Sequence, residues 1–226
     1  MSGIVKREIF ATSEIRDYLR WPLKSLELDG VISVIDSELI DVSPYLSIHF
    51  ARSEHGQRAM WPIVSHSKYR ERLLTTPANT LKDEIREKVI SGIQEILNSL
   101  SWQGSGLARF NDLGEFIDVV RGCQRESMWT LDTSITSQFE NEVRSSFNLP
   151  LGDISMRDAS WMTLEFSAPV ELDMFRPYLH LCARNPGYKF HHYDSHSGVI
   201  FLSGEERKIR EDLEHAVDYL EGVINE

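Results

Sequence analysis

Three of the chain's eight histidines fall within six residues, His191-His192-Tyr193-Asp194-Ser195-His196, and imidazole beside carboxylate is a common ligand set for zinc and other divalent metals. On an extended strand His192, Asp194 and His196 point the same way. Spacing limits what they can hold. Neighbours on one face lie about 6.6 Å apart and the outer pair about 13 Å apart, whereas ligand atoms sit about 2.0 to 2.2 Å from one ion. One ion therefore takes two of the three, unless the chain bends near Ser195, and a further ligand such as His180 must come from elsewhere. His192, Asp194 and His196 are the candidate metal ligands, and His192 is also a candidate catalytic residue. The same residues equally suit a solvated hairpin tip, or a surface whose charge changes near neutral pH.

Motifs of the commonest enzymes are missing: there is no Gly-x-Ser-x-Gly elbow, no His-Glu-x-x-His, no phosphate loop and no kinase set. Gly104-Ser105-Gly106 lacks the third glycine of a dinucleotide loop and follows a predicted helix, so it is expected to be a turn. No cofactor is expected beyond a divalent metal. Catalytic residues gathered from distant parts of the chain would leave no such local trace.

A second stretch has a recognisable shape, Phe116-Ile117-Asp118-Val119-Val120-Arg121-Gly122 followed by Trp129-Thr130-Leu131-Asp132-Thr133-Ser134-Ile135. It resembles the opening motif of FRG domains, bacterial modules with an aromatic-Arg-Gly signature followed by Trp-x-Leu-x-x-Ser-aliphatic. The resemblance implies a bacterial protein linked to toxin or phage-defence systems, with Arg121 at a polar pocket as a candidate catalytic residue and Trp129 packed beside it. Read from the residues alone, Arg121-Gly122 suits a helix end, with the cation at the negative terminus and glycine in the left-handed cap.

The elements that must position these residues belong to a chain of 226 residues with 41% hydrophobic and 26% charged side chains, enough apolar surface for one folded domain over 1–226. The small, polar segment 101–105 offers a division into 1–103 and 104–226. No apolar run approaches the roughly 18 residues needed to span a bilayer, and the first residues carry charges where a secretory signal needs an apolar core. A soluble, cytoplasmic protein is expected. Two cysteines, Cys123 and Cys182, are too few for a disulfide framework. The net charge of −11 disfavours nucleic acid and anionic membranes as partners.

Periodicity predicts helices after Ser13, over 80–100 with an N-cap at Asn79 or Thr80, over 112–120, over 134–147 and over 205–226. Alternation predicts strands at 31–35 and 45–51, which could pair as a hairpin, and then at 160–166, 178–183, 188–193 and 199–202. The fold class is α+β: a mainly antiparallel sheet with a C-terminal β-meander, packed by amphipathic helices including a long last one. Between residues 205 and 226 eight acids face three bases, nearly half of the net charge. These features point to a non-catalytic, immunity-type interaction protein whose acidic surface covers a basic protein partner. The alternatives are a metal-dependent enzyme using His192, Asp194 and His196, or an FRG-like module using Arg121.

Overall fold

In the strand that follows Pro44, alternation sends Leu46, Ile48 and Phe50 to one side and Tyr45, Ser47 and His49 to the other, and all six are buried. A strand covered on both faces lies at the centre of a sheet. The computed structural model describes residues 8–9, 34–35, 44–99 and 102–223. Within them the strands are β1 (Glu8–Ile9), β2 (Val34–Ile35), β3 (Tyr45–Arg52), β4 (Arg58–Met60), β5 (Val64–Tyr69), β6 (Arg72–Pro77), β7 (Gly104–Asn111), β8 (Phe116–Arg121), β9 (Trp161–Ser167), β10 (Lys189–His192) and β11 (Ser197–Ser203). The helices are α1 (Asp83–Ser99), α2 (Thr130–Thr133), α3 (Gln138–Ser146), α4 (Phe175–Arg184) and α5 (Glu206–Leu220), with a 3-10 turn at Arg125–Ser127.

Nine strands form one antiparallel sheet in the order β10-β11-β9-β6-β5-β3-β7-β8, with β4 also paired to β3. Chain on both sides of residues 103 and 104 contributes to it. One face is apolar and covered by two long helices. Val89, Ile93 and Leu97 of α1 pack on Leu46, Ile48, Phe50, Ala108 and Phe110, while Ile209, Leu213, Val217 and Leu220 of α5 pack on Met162, Leu164, Ile200 and Leu202. Residues 122–156, which include the 3-10 turn, α2 and α3, supply core residues to the other face: Trp129 and Leu151 cluster with Ala51, Trp61, Trp161 and Phe201. Among the described residues no helix is long and apolar enough to cross a membrane.

The α+β class with a mainly antiparallel sheet agrees with expectation, and several elements do not. Val34–Ile35 pairs with Glu8–Ile9 rather than with β3. Helix α1 begins at Asp83, beyond the expected caps at Asn79 and Thr80. Gly104-Ser105-Gly106 opens strand β7 instead of turning: Gly104 has φ +97°, and a Cβ on Gly106 would sit 2.5 Å from Trp102 and 2.6 Å from Phe50. Residues 112–120 form no helix, because Asn111 Oδ1 accepts the backbone N–H groups of Leu113 and Glu115 and closes a turn that sends β8 back along β7. Tyr178–Ala183 is helical within α4, where Pro177 lies in the first turn and costs no hydrogen bond. That change removes the C-terminal meander, since β11 lies between β9 and β10. The helix expected after Ser13 lies outside the described residues.

Candidate active site

Polar side chains line the sheet face opposite α1 and α5. Tyr45, His66, Thr75 and Thr163 stand in register across β3, β5, β6 and β9, and all four are buried. Ser47 Oγ lies 2.7 Å from His66 Nε2, Thr75 Oγ1 lies 2.9 Å from His66 Nδ1, and the Tyr45 ring stacks on the imidazole at 4.4 Å. Burial first, and the Arg109 charge second, push the His66 pKa down to about 3. The ring is therefore neutral, with one nitrogen donating and the other accepting.

Next to this row, the β7–β8 hairpin sets Arg109 opposite Asp118. Arg109 Nε and Nη2 each donate to an Asp118 carboxylate oxygen at 2.8 Å, a two-pronged contact, while Nη1 reaches Glu126 Oε1 at 3.3 Å. Glu126 arrives from the 3-10 turn and also accepts the Tyr45 hydroxyl at 2.5 Å. The Arg109 side chain is only 2% exposed and Glu126 3%, whereas Asp118 is 40% exposed at the rim. Burial works against the guanidinium charge, but the Asp118 hydrogen bonds and the Glu126 and Asp118 charges outweigh it and hold the group cationic. Burial raises the Glu126 pKa, opposed by Arg109 and the Tyr45 hydroxyl.

Two further groups extend the layer toward β10 and β11. The Tyr193 hydroxyl donates to Glu165 at 3.2 Å, and Arg125 lies over the Tyr193 ring at 3.7 Å. Burial raises the pKa of Glu165 and of Tyr193. Asp132 of α2 lies 2.6 Å from His191 Nε2 and 3.2 Å from Lys189 Nζ. Among the described residues the ring nitrogens of His49, the Ser127 hydroxyl and the Trp129 indole N–H are buried without a hydrogen-bond partner, and a buried polar group ordinarily has one. The layer thus offers buried carboxyls held toward their neutral form, a fixed cation and open polar atoms, the ingredients for binding and orienting a polar ligand and for moving a proton. A separate cleft of about 330 Å³ opens near the starts of α1 and α5, lined in part by Ser65, Thr76, Asn79, Lys82, Ser160 and Glu206.

The histidine cluster expected to bind metal does not assemble as a ligand set. His192 Nε2 meets the Tyr178 hydroxyl at 2.5 Å and its Nδ1 the Asp194 carbonyl oxygen; Asp194 accepts from the His196 and Ser197 amides and the Ser197 hydroxyl. His196 Nδ1 lies 2.7 Å from Ser195 Oγ, and His180 on α4 stacks on Tyr219. Among the described residues no group of three or more His, Cys, Asp or Glu side chains is placed to hold a metal ion. Arg121, the other candidate, is exposed at the end of β8, over the Trp102 ring at 4.5 Å and donating to the Gln103 carbonyl oxygen. It ends a strand, with Gly122 at φ +87°. Trp129 is buried, stacked on Trp161 at 4.8 Å. The two stretches singled out in the sequence do meet, through Asp132 and His191.

Sequence reasoning missed Tyr45, His66, Arg109, Asp118, Glu126 and Glu165. Ser47 and His49 alternate with apolar neighbours and so look like a solvated face, which the 122–156 segment in fact covers. The Arg109–Asp118 pair becomes visible only once 112–120 is drawn as the return strand of a hairpin.

No protein-family model matches the chain. The N5-carboxyaminoimidazole ribonucleotide synthase of Mycobacterium tuberculosis (strain H37Rv) is 27% identical over 190 residues, which are 80% of this chain and 43% of that protein. The N5-carboxyaminoimidazole ribonucleotide synthetase from Thermus thermophilus superposes with a TM-score of 0.66 at 20% identity, covering 92% of this chain and 59% of that one. The chain shares the fold of these synthetases. The N5-carboxyaminoimidazole synthase from Aspergillus clavatus, in complex with ADP and 5-aminoimidazole ribonucleotide, gives 0.66 at 14% identity over 79% of this chain and 52% of that one. The chain thus spans less than half the length of the mycobacterial synthase.

These matches overturn the expectation of a non-catalytic, immunity-type protein of bacterial defence, since relatives and neighbours alike are biosynthetic synthases. The acidity that suggested a docking surface is in part answered within the fold: Asp218 pairs with Arg70, Glu221 with Arg72, and Glu211 with Arg207.

Proposed function

We propose that the chain supplies part of a nucleotide-dependent synthase site of the carboxyaminoimidazole ribonucleotide type, with the polar layer around Arg109, Asp118, Glu126, Tyr45 and His66 as its ligand-facing wall. The observation that carries this reading is the agreement of sequence and fold over four-fifths of the chain. In that wall Arg109 holds Asp118 and Glu126 in fixed positions, the Tyr45 hydroxyl orients Glu126, and neutral His66 locks Ser47 and Thr75. A ligand approaches over Asp118, the most exposed member of the ion-pair cluster.

Enzymes that process ATP commonly hold Mg²⁺ through one or two carboxylates together with the substrate phosphates. The donor set here does not fit that role. The carboxylates facing each other across the layer, Asp118 and Glu126, both spend oxygens on the Arg109 guanidinium. No step is therefore assigned to a metal held by this wall.

Calorimetric titration with ATP, ADP and 5-aminoimidazole ribonucleotide tests the function. One-to-one binding of at least one of them, weakened by Asp118→Asn, is expected. Absence of binding by all three at millimolar concentration would refute it.

A further inference from the structure

We propose that Arg109 is a built-in cation that takes the place of a divalent ion on this face, so that the chain neither holds a metal between Asp118 and Glu126 nor needs one there to bind a nucleotide. The nucleotide half of this inference rests on the function proposed above; the metal half stands on geometry alone.

A Mg²⁺ ion bound by this face takes oxygens from one or two carboxylates at about 2.0 to 2.1 Å, and Asp118 and Glu126 meet at one position, each on the same guanidinium. That position is filled. The guanidinium fork uses both Asp118 oxygens at 2.8 Å and one Glu126 oxygen at 3.3 Å, and the same Glu126 oxygen receives the Tyr45 hydroxyl. A metal entering would have to expel a cation whose side chain is 2% exposed and leave it unpaired in the interior, which is strongly unfavourable. An arginine does not escape by losing its proton. The other acids of the layer offer no substitute: Glu165 is engaged by Tyr193 and Asp132 by His191 and Lys189. A planar guanidinium with fixed donors also differs from a metal in what it can do, since it neutralises charge and fixes orientation but has no open coordination position for a phosphate oxygen.

The test compares wild type, Asp118→Asn and Arg109→Ala after chelator treatment, with folding checked by circular dichroism. Mn²⁺ uptake is followed by paramagnetic resonance of the free ion. Wild type is expected to bind no Mn²⁺ that Asp118→Asn removes. Folded Arg109→Ala, with two carboxylates released, is expected to gain at least about tenfold in Mn²⁺ affinity, a gain that adding Asp118→Asn abolishes. Stoichiometric Mn²⁺ on wild type that disappears in Asp118→Asn overturns the proposal, and so does a folded Arg109→Ala that gains nothing. Should Arg109→Ala not fold, the wild-type comparison with Asp118→Asn decides alone. In parallel, ADP affinity is measured in excess EDTA and in excess Mg²⁺. A change of less than about twofold supports the proposal, and a tenfold preference for Mg²⁺ that Asp118→Asn removes contradicts it. Failure to bind ADP in both buffers counts against the proposed function only, because the Mn²⁺ comparison still decides the metal question.

Discussion

Acidification should destabilise this fold through two buried histidines, and substituting one of them isolates the effect. His49 and His66 have pKa values pushed down to about 3, in each case chiefly by burial, while the unfolded chain titrates at its ordinary value of 6.5. For a base with a lowered folded pKa, the unfolded state binds more protons between the two values, so stability is complete above pH 6.5 and falls as the pH drops below it. Between pH 7.5 and pH 5.5 each such histidine costs about 1.4 kcal/mol. Glu126, Glu142 and Glu165, whose pKa values burial raises, act in the opposite direction. The absolute slope of stability with pH is therefore a sum of opposing parts, and the informative quantity is the difference between wild type and a variant. His49 is the position to change, because neither ring nitrogen has a partner among the described residues and its one described ring contact is the edge of Trp61 at 5.1 Å. His49→Leu keeps the volume and removes the titration. Urea unfolding at the two pH values should show wild type losing about 1.4 kcal/mol more than His49→Leu. Equal losses in the two proteins would refute a buried, neutral His49.

Removing the central cation should be costly: Arg109→Met leaves Glu126 buried without its charge partner, and urea unfolding at neutral pH should show a loss of about 3 to 5 kcal/mol. Because the Glu126 pKa is raised, protonation relieves that deficit, so the loss should shrink as the pH falls toward the ordinary carboxyl value of 4.5. Tyr45→Phe removes the hydroxyl donated to Glu126 and should cost about 1.5 to 3 kcal/mol in the same assay. His192→Ala should leave the metal content of untagged protein unchanged, as measured by plasma mass spectrometry, since His192 is engaged by Tyr178 and the Asp194 carbonyl rather than by a ligand set.

How far the sequence announces this structure depends on how local the signal is. Helix α1 and strand β3 are legible because Ile85, Val89, Ile93, Ile96 and Leu97 at helical spacing and Leu46, Ile48 and Phe50 at alternating spacing leave one arrangement each. Tyr178–Ala183 misleads because a mostly apolar run of six residues carries no clear period of its own; Tyr178 and Leu181, three apart, share one helical face and pack in the cluster built around α5. Residues 112–120 mislead for a related reason: Phe116, Ile117 and Val120 recur at helical intervals, while the turn that dictates a hairpin depends on the Asn111 side chain bonding its own backbone. The candidate site is less legible still. Arg109, Glu126 and Tyr45 lie far apart in sequence, and each looks ordinary until the sheet order places them together. The histidine cluster drew attention through density alone, yet His191 contributes to the layer by meeting Asp132.

Proton–nitrogen correlation spectra recorded during an ADP titration test the placement of the ligand wall most directly. Arg109 Nε–H, fixed on Asp118, and the Trp129 indole N–H, which has no hydrogen-bond partner among the described residues, report on the layer. Saturable shifts of the Arg109 resonance, absent in Asp118→Asn, are predicted. Saturable shifts confined to other parts of the chain, or no shifts at all, would contradict the assignment of this sheet face as the nucleotide-facing wall.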